Sequence, residues 1–229
     1  PFAYNESTDH NTGKVDAICK RPLSDPLIFH TQTSTEYWQR RGSLVHTDTK
    51  GNDLAPPENV RIYHWASAQH VGNPLQERPT RGICQNPENV LQTSMIFRAL
   101  LDALDNWVSK AITPPENQIP TNSKGTLVDF EYWKSQFPKI PNLVTPQAPN
   151  KLSIYDYGPK ADLGIFDTLP PRKIQNCSYT IKVPSVDDDG NELAGIRVPM
   201  LGTPLATYTG WNIPVSYTHL RAHETVLDL

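Results

Sequence analysis

The hydrophobic pattern of the first half of the chain divides it into segments of different period. Residues 25–31, "DPLIFHT", are a short apolar run behind a proline, the pattern of a buried strand. "TSTEYWQRRGSLVHTD" follows, with Tyr37, Leu44 and Val45 at helical spacing and Thr33 or Ser34 placed to cap it. In "NVRIYHWASAQH" (59–70), Val60 and Ile62 alternate with Arg61 and Tyr63, which predicts a second strand, and a small-residue run then leads to His70. "NPENVLQTSMIFRALLDALDNWVSKAI" (86–112) predicts a long helix. Asn86 can cap it, Pro87 fits its first position and Glu88 favours its dipole. Val90, Ile96, Phe97, Leu100, Leu101, Leu104, Trp107 and Val108 give it a broad apolar face. Strand, helix, strand, helix in this order predicts parallel strands joined by crossover helices, the α/β class.

The second half is less regular. Prolines crowd residues 113–174, where only "VDFEYWKSQF" reads as a short helix. "YTIKVPSVDDDGNELAGIRVP" (179–199) contains two extended runs around an acidic turn. The turn is not a calcium loop, because with Ser185 as first ligand the twelfth position is Ile196 rather than glutamate. It predicts a β-hairpin turning on Asp189–Gly190.

Composition narrows the functional classes. With 229 residues the chain can build one sizeable domain, and its 22 prolines demand many loops. A net charge of −3 offers no basic surface for nucleic acid, and no apolar run is long enough to span a membrane. Cys19, Cys84 and Cys177 lack the paired spacing of a metal site; they leave open one disulfide with a free thiol or three quiet thiols. Neither a metal nor a cofactor is expected.

The candidate chemistry lies at the two predicted strand ends. Glu36 follows the first strand and His70 the second, 34 residues apart. In an α/β hydrolase the acid and base of the triad follow successive late strands, and a carboxylate is needed there to hold the imidazole tautomer. Each residue also has an ordinary reading. Glu36 would favour the helix dipole from the first turn, His46 would favour helix C-terminal carbonyls, and His64 would be a core histidine within its strand. His30, at the end of the first strand, competes with His70 for the role of base. Tyr37, Trp38 and Trp65 could line a substrate pocket but read better as core.

Three long stretches strengthen the first reading. "LIFHTQTSTEYWQRRGSLVHTD", "PPENVRIYHWASAQH" and "DDDGNELAGIRVPMLGTPLATYTGWN" together resemble, in order and approximate spacing over most of residues 1–213, a family of large bacterial α/β-hydrolase domain proteins. The resemblance implies a serine hydrolase acting on small-molecule esters, with Glu36 as triad acid and His70 as triad base. The nucleophile of this fold sits in a G-x-S-x-G turn before the acid, and the sequence contains no such motif. The expectation is therefore the C-terminal part of a longer enzyme: late strands and helices over 1–112, then a Pro-rich segment and hairpin over 113–213. A sheet cut in this way would expose an edge and be poorly soluble alone. The end, "PVSYTHLRAHETVLDL", resembles translated adaptor sequence found in metagenomic reading frames, so residues 214–229, with His219 and His223, are expected to carry no function. The competing reading is a non-catalytic binding or structural module in which the Pro-rich stretch and the hairpin form an interaction surface and Glu36–His70 is only a structural hydrogen bond.

Overall fold

A computed structural model describes residues 3–71, 75 and 78–215. Strands β1 (Ser7–Thr8) and β2 (Val15–Asp16) form a small antiparallel pair. Then come β3 (Ile28–Thr33), α1 (Ser34–Gln39), β4 (Val60–Trp65) and α2 (Ser94–Lys110). β5 (Leu127–Val128) leads to α3 (Phe130–Gln136), and β6 (Tyr155–Asp156) pairs with β7 (Arg172–Lys173). β8 (Val183–Pro184) and α4 (Pro199–Gly202) follow.

The element that positions everything else is the parallel pair β3–β4. Its register runs from Ile28 opposite Val60 to Thr33 opposite Trp65, so both strands end at one edge. On the other side of β4, Gln118 and Ile196 add parallel bridges to Tyr63 and Trp65. β4 is thus a central strand, and Val60, Ile62, Tyr63 and His64 are buried. That explains its near-continuous burial despite an alternating sequence. This is the α/β arrangement predicted from the element order.

Several local expectations change. The helix predicted from residue 86 begins at Ser94, because the asparagines before it are engaged elsewhere. Asn86 Nδ2 donates to the Val144 carbonyl at 2.9 Å, and Asn89 Nδ2 donates to the Ser67 and Thr209 carbonyls at 2.7 and 2.8 Å. These tertiary bonds hold residues 86–93 out of the helix. Of the predicted apolar face, Ile96 and Leu100 are buried while Phe97, Leu101 and Val108 are exposed. The helix after β3 also stops early: Arg41 takes a left-handed backbone (φ 58°) and a short 3-10 turn, Gly42–Val45, replaces its continuation. The hairpin around Asp189–Gly190 reduces to one antiparallel bridge, Val186 opposite Glu192. Its flanks diverge, because Val183 pairs with Val128 and Ile196 with Trp65.

The core forms two clusters around this frame. Tyr63, Ala66, Leu91, Ile96, Leu100, Val198 and Leu201 pack beneath α2. Tyr37, Trp38, Leu127, Trp133, Phe137, Val183 and Trp211 form the second, with Trp38 and Trp133 edge to face at 4.7 Å. Tyr37 and Trp38 are therefore core residues, and Trp65 is half-buried against the first cluster. Large aromatic rings dominate such a core because each removes much apolar area from water. The three cysteines are free. Pro214 and Val215 pair with Cys84 and Ile83, whereas residues 216–229, including His219 and His223, lie outside the described residues.

Candidate active site

The shared strand edge brings Glu36 and His70 together. The loop after β4 is laced to the start of α1 by two further bonds: Ser34 N–H to the Ala68 carbonyl at 3.0 Å, and His70 N–H to Thr35 Oγ1 at 3.1 Å. Thr35 Oγ1 itself donates to the Gly210 carbonyl at 2.8 Å. With both backbones tied, His70 Nδ1 and Glu36 Oε1 are hydrogen-bonded.

Glu36 serves two partners. Its Oε2 accepts from Thr33 N–H and Thr33 Oγ1, each at 2.6 Å, completing a capping box at the start of α1. The dipole reading of Glu36 and the acid reading are thus compatible, because the two carboxylate oxygens divide the tasks. The Glu36 side chain is mostly covered, at 19 % exposed, while that of His70 is 61 % exposed. His70 Nε2 has no hydrogen-bond partner among the described residues. A carboxylate on Nδ1 and an open Nε2 are what a histidine needs to exchange protons with something outside the chain's own fold.

The other histidines take different positions. His30 Nδ1 meets the Tyr4 hydroxyl at 3.0 Å and makes no ion pair with a carboxylate among the described residues, and burial lowers its pKa. His46, read from the sequence as a helix-end residue, is instead buried: Tyr37 O–H meets its Nε2 at 2.7 Å, and burial pulls its pKa down to about 3. Gln32 Nε2 donates to the same Tyr37 oxygen, which assigns the tyrosine proton to His46. His64 is a core histidine, as expected, with no exposed surface.

What sequence reading missed is the partner of His64. Glu192 Oε2 accepts from His64 Nε2 at 2.8 Å and from Ser67 N–H at 2.5 Å, and Oε1 accepts from Ser34 Oγ at 2.6 Å. Glu192 N–H returns a bond to Ser67 Oγ at 2.9 Å. One buried carboxylate therefore grips both segments that carry the candidate pair, two residues before Glu36 and three before His70. Ser67 holds a left-handed backbone, φ 57°, with its hydroxyl on Glu192. The only sequence signal was a glutamate ending an acidic turn; nothing in "DDDGNE" distinguishes the acid that is buried.

Among the described residues no group of three or more His, Cys, Asp or Glu side chains could hold a metal ion, and no helix is long and apolar enough to cross a membrane. No curated protein and no solved structure matches the chain. A family model does: that of the alpha/beta hydrolase domain, over residues 3–228, almost the whole sequence. With its parallel strand pair and the loops that leave one edge of it, this chain belongs to the alpha/beta hydrolase domain family.

Proposed function

We propose that the chain supplies the acid and the base of a Ser-His-Glu triad that hydrolyses carboxylic esters of small molecules, with Glu36 as the acid and His70 as the base. The observation that carries this reading is the Glu36–His70 bond at the carboxyl edge of a parallel strand pair, with Nε2 left open. In this reading His70 Nε2 takes the proton of a serine hydroxyl as the oxygen attacks the ester carbonyl. Glu36 holds the Nδ1–H tautomer and stabilises the imidazolium. His70 then returns the proton to the departing alkoxide, and repeats the cycle with water to release the acid.

The serine comes from sequence upstream of this chain. No G-x-S-x-G turn occurs in the sequence, and the serines nearest the pair are engaged elsewhere. Ser34 and Ser67 are buried on Glu192, and Ser43, also buried, lies against the Lys182 N–H. A fluorophosphonate probe of activated serines tests this. The chain alone should take no label. The chain extended through its upstream reading frame should take one, and lose it in a His70→Gln variant. Stoichiometric label on Ser34, Ser43 or Ser67 would overturn the assignment.

The capping box favours a second reading, in which the pair only fastens two loops of a non-catalytic module. An extended chain that is folded and unlabelled would favour that reading.

A further inference from the structure

A cleft of about 500 Å³ lies apart from the Glu36–His70 pair, which contributes nothing to its lining. Arg41 forms part of its wall. This arginine is only 8 % exposed, its Nε is buried without a hydrogen-bond partner, and no ion pair with a carboxylate forms within 4.0 Å among the described residues. The Tyr179 ring covers one face of the guanidinium at 5.6 Å. Burial lowers the pKa of Arg41 from the ordinary arginine value. A guanidinium stays charged in proteins, and burying part of it without a carboxylate beside it is costly, so this wall of the cleft suits an anion.

The surroundings define the anion. Lys151 and Lys173 line the same cleft, are exposed, and form no ion pair among the described residues. Glu131 is the one acid among the described residues of the lining. Three cations against one carboxylate favour an anion, and the nearby Glu131 disfavours a doubly charged one. Much of the rest of the wall is apolar, with Phe130, Ile154 and Ile181 among it.

We propose that this cleft binds a small organic monoanion, its carboxylate on the Arg41 guanidinium and its apolar body against Phe130 and Ile181. Planar bidentate pairing with a carboxylate suits arginine, and the two lysines would draw the anion in without fixing its orientation. The inference stands independently of the role of Glu36 and His70.

Hexanoate, hexan-1-ol and inorganic phosphate, titrated into the full ¹⁵N-labelled chain, separate the terms. Hexanoate should shift the Arg41 Nε–Hε resonance and bind about tenfold or more tighter than either hexan-1-ol or phosphate, as one good charge-assisted pair implies. Arg41→Met, which keeps an unbranched apolar stem and removes the guanidinium, should weaken hexanoate by a similar factor. Lys173→Ala lies on the exposed rim and leaves the fold alone; it should weaken hexanoate by a smaller factor. Equal binding of hexan-1-ol would overturn the role of the charge, and equal binding of phosphate would overturn the organic monoanion. Hexanoate binding that leaves the Arg41 resonance unmoved, or no binding at all, would overturn the site.

Discussion

Glu192 and His64 meet at 2.8 Å in the interior, with side chains 5 % and 0 % exposed. The same carboxylate accepts from Ser34 and Ser67, so both of its oxygens are engaged. Removing it leaves three buried donors without an acceptor. Each such loss is worth about 1–3 kcal/mol. Glu192→Ala should therefore lower unfolding stability by about 3 kcal/mol or more in urea titrations. Glu192→Gln, which keeps an acceptor oxygen, should lose less. Equal stability of Glu192→Ala and the parent chain would show that the network contributes nothing.

Glu36 offers a way to separate its two tasks. Glutamine can also complete a capping box, so Glu36→Gln should change stability by less than about 1 kcal/mol. It should nevertheless change the imidazole tautomer balance of His70, read from its ring ¹⁵N shifts, because an amide replaces the carboxylate that holds the Nδ1–H form. In the chain extended to include its serine, the same substitution should lower kcat by about 10³ to 10⁴, as amide-for-carboxylate exchange does at a triad acid. Glu36→Ala should lose both, with about 1–2 kcal/mol of stability from the cap. A fully active Glu36→Gln enzyme would remove Glu36 from the mechanism.

His46 predicts an acid-labile core. Its pKa in the folded chain is about 3, through burial first and the nearby His64 second. An unfolded histidine titrates near 6.5. Between those values the unfolded chain binds the extra proton, so stability is full above about pH 6.5 and falls as pH drops toward 3. The slope from this one group is about 1.4 kcal/mol per pH unit well inside the window. Urea midpoints measured between pH 7 and 4.5 should fall accordingly, and His46→Gln should flatten the decline. An unchanged slope in that variant would assign the acid sensitivity to other groups.

Gly195 is held at φ 98° beside the same network. A Cβ there would stand 2.6 Å from both His64 Cδ2 and the His64 carbonyl oxygen. The backbone conformation and the space both exclude a side chain. Gly195→Ala should cost about 2–3 kcal/mol, more than conformational strain alone, because β4 cannot move without disturbing its parallel neighbours. A thermal melt comparing it with Gly125→Ala, which meets nothing within 4 Å, isolates the steric part.

Local pattern alone determined the two long strands, their parallel pairing, and the segments after them that carry Glu36, in the first turn of α1, and His70, in the loop after β4. These are legible because a buried strand needs a contiguous apolar run, and because successive strands linked by a helix pair in parallel. It also read His64, Tyr37 and Trp38 as core residues. Tertiary structure decided what depends on partners far along the chain. Asn86 looks like a cap, yet its amide reaches the Val144 carbonyl, and that of Asn89 reaches the carbonyls of Ser67 and Thr209, which delays α2 to Ser94. His46 looks like a helix-end residue, yet the turn at Arg41 buries it under Tyr37. Glu192 looks like one more acid in a solvated turn, and only the parallel bridge between Ile196 and Trp65 draws it beneath both catalytic-candidate loops. A side chain's partners are set by chain crossings that local periodicity does not encode, and burial makes those partners decisive, because an interior polar group must find one.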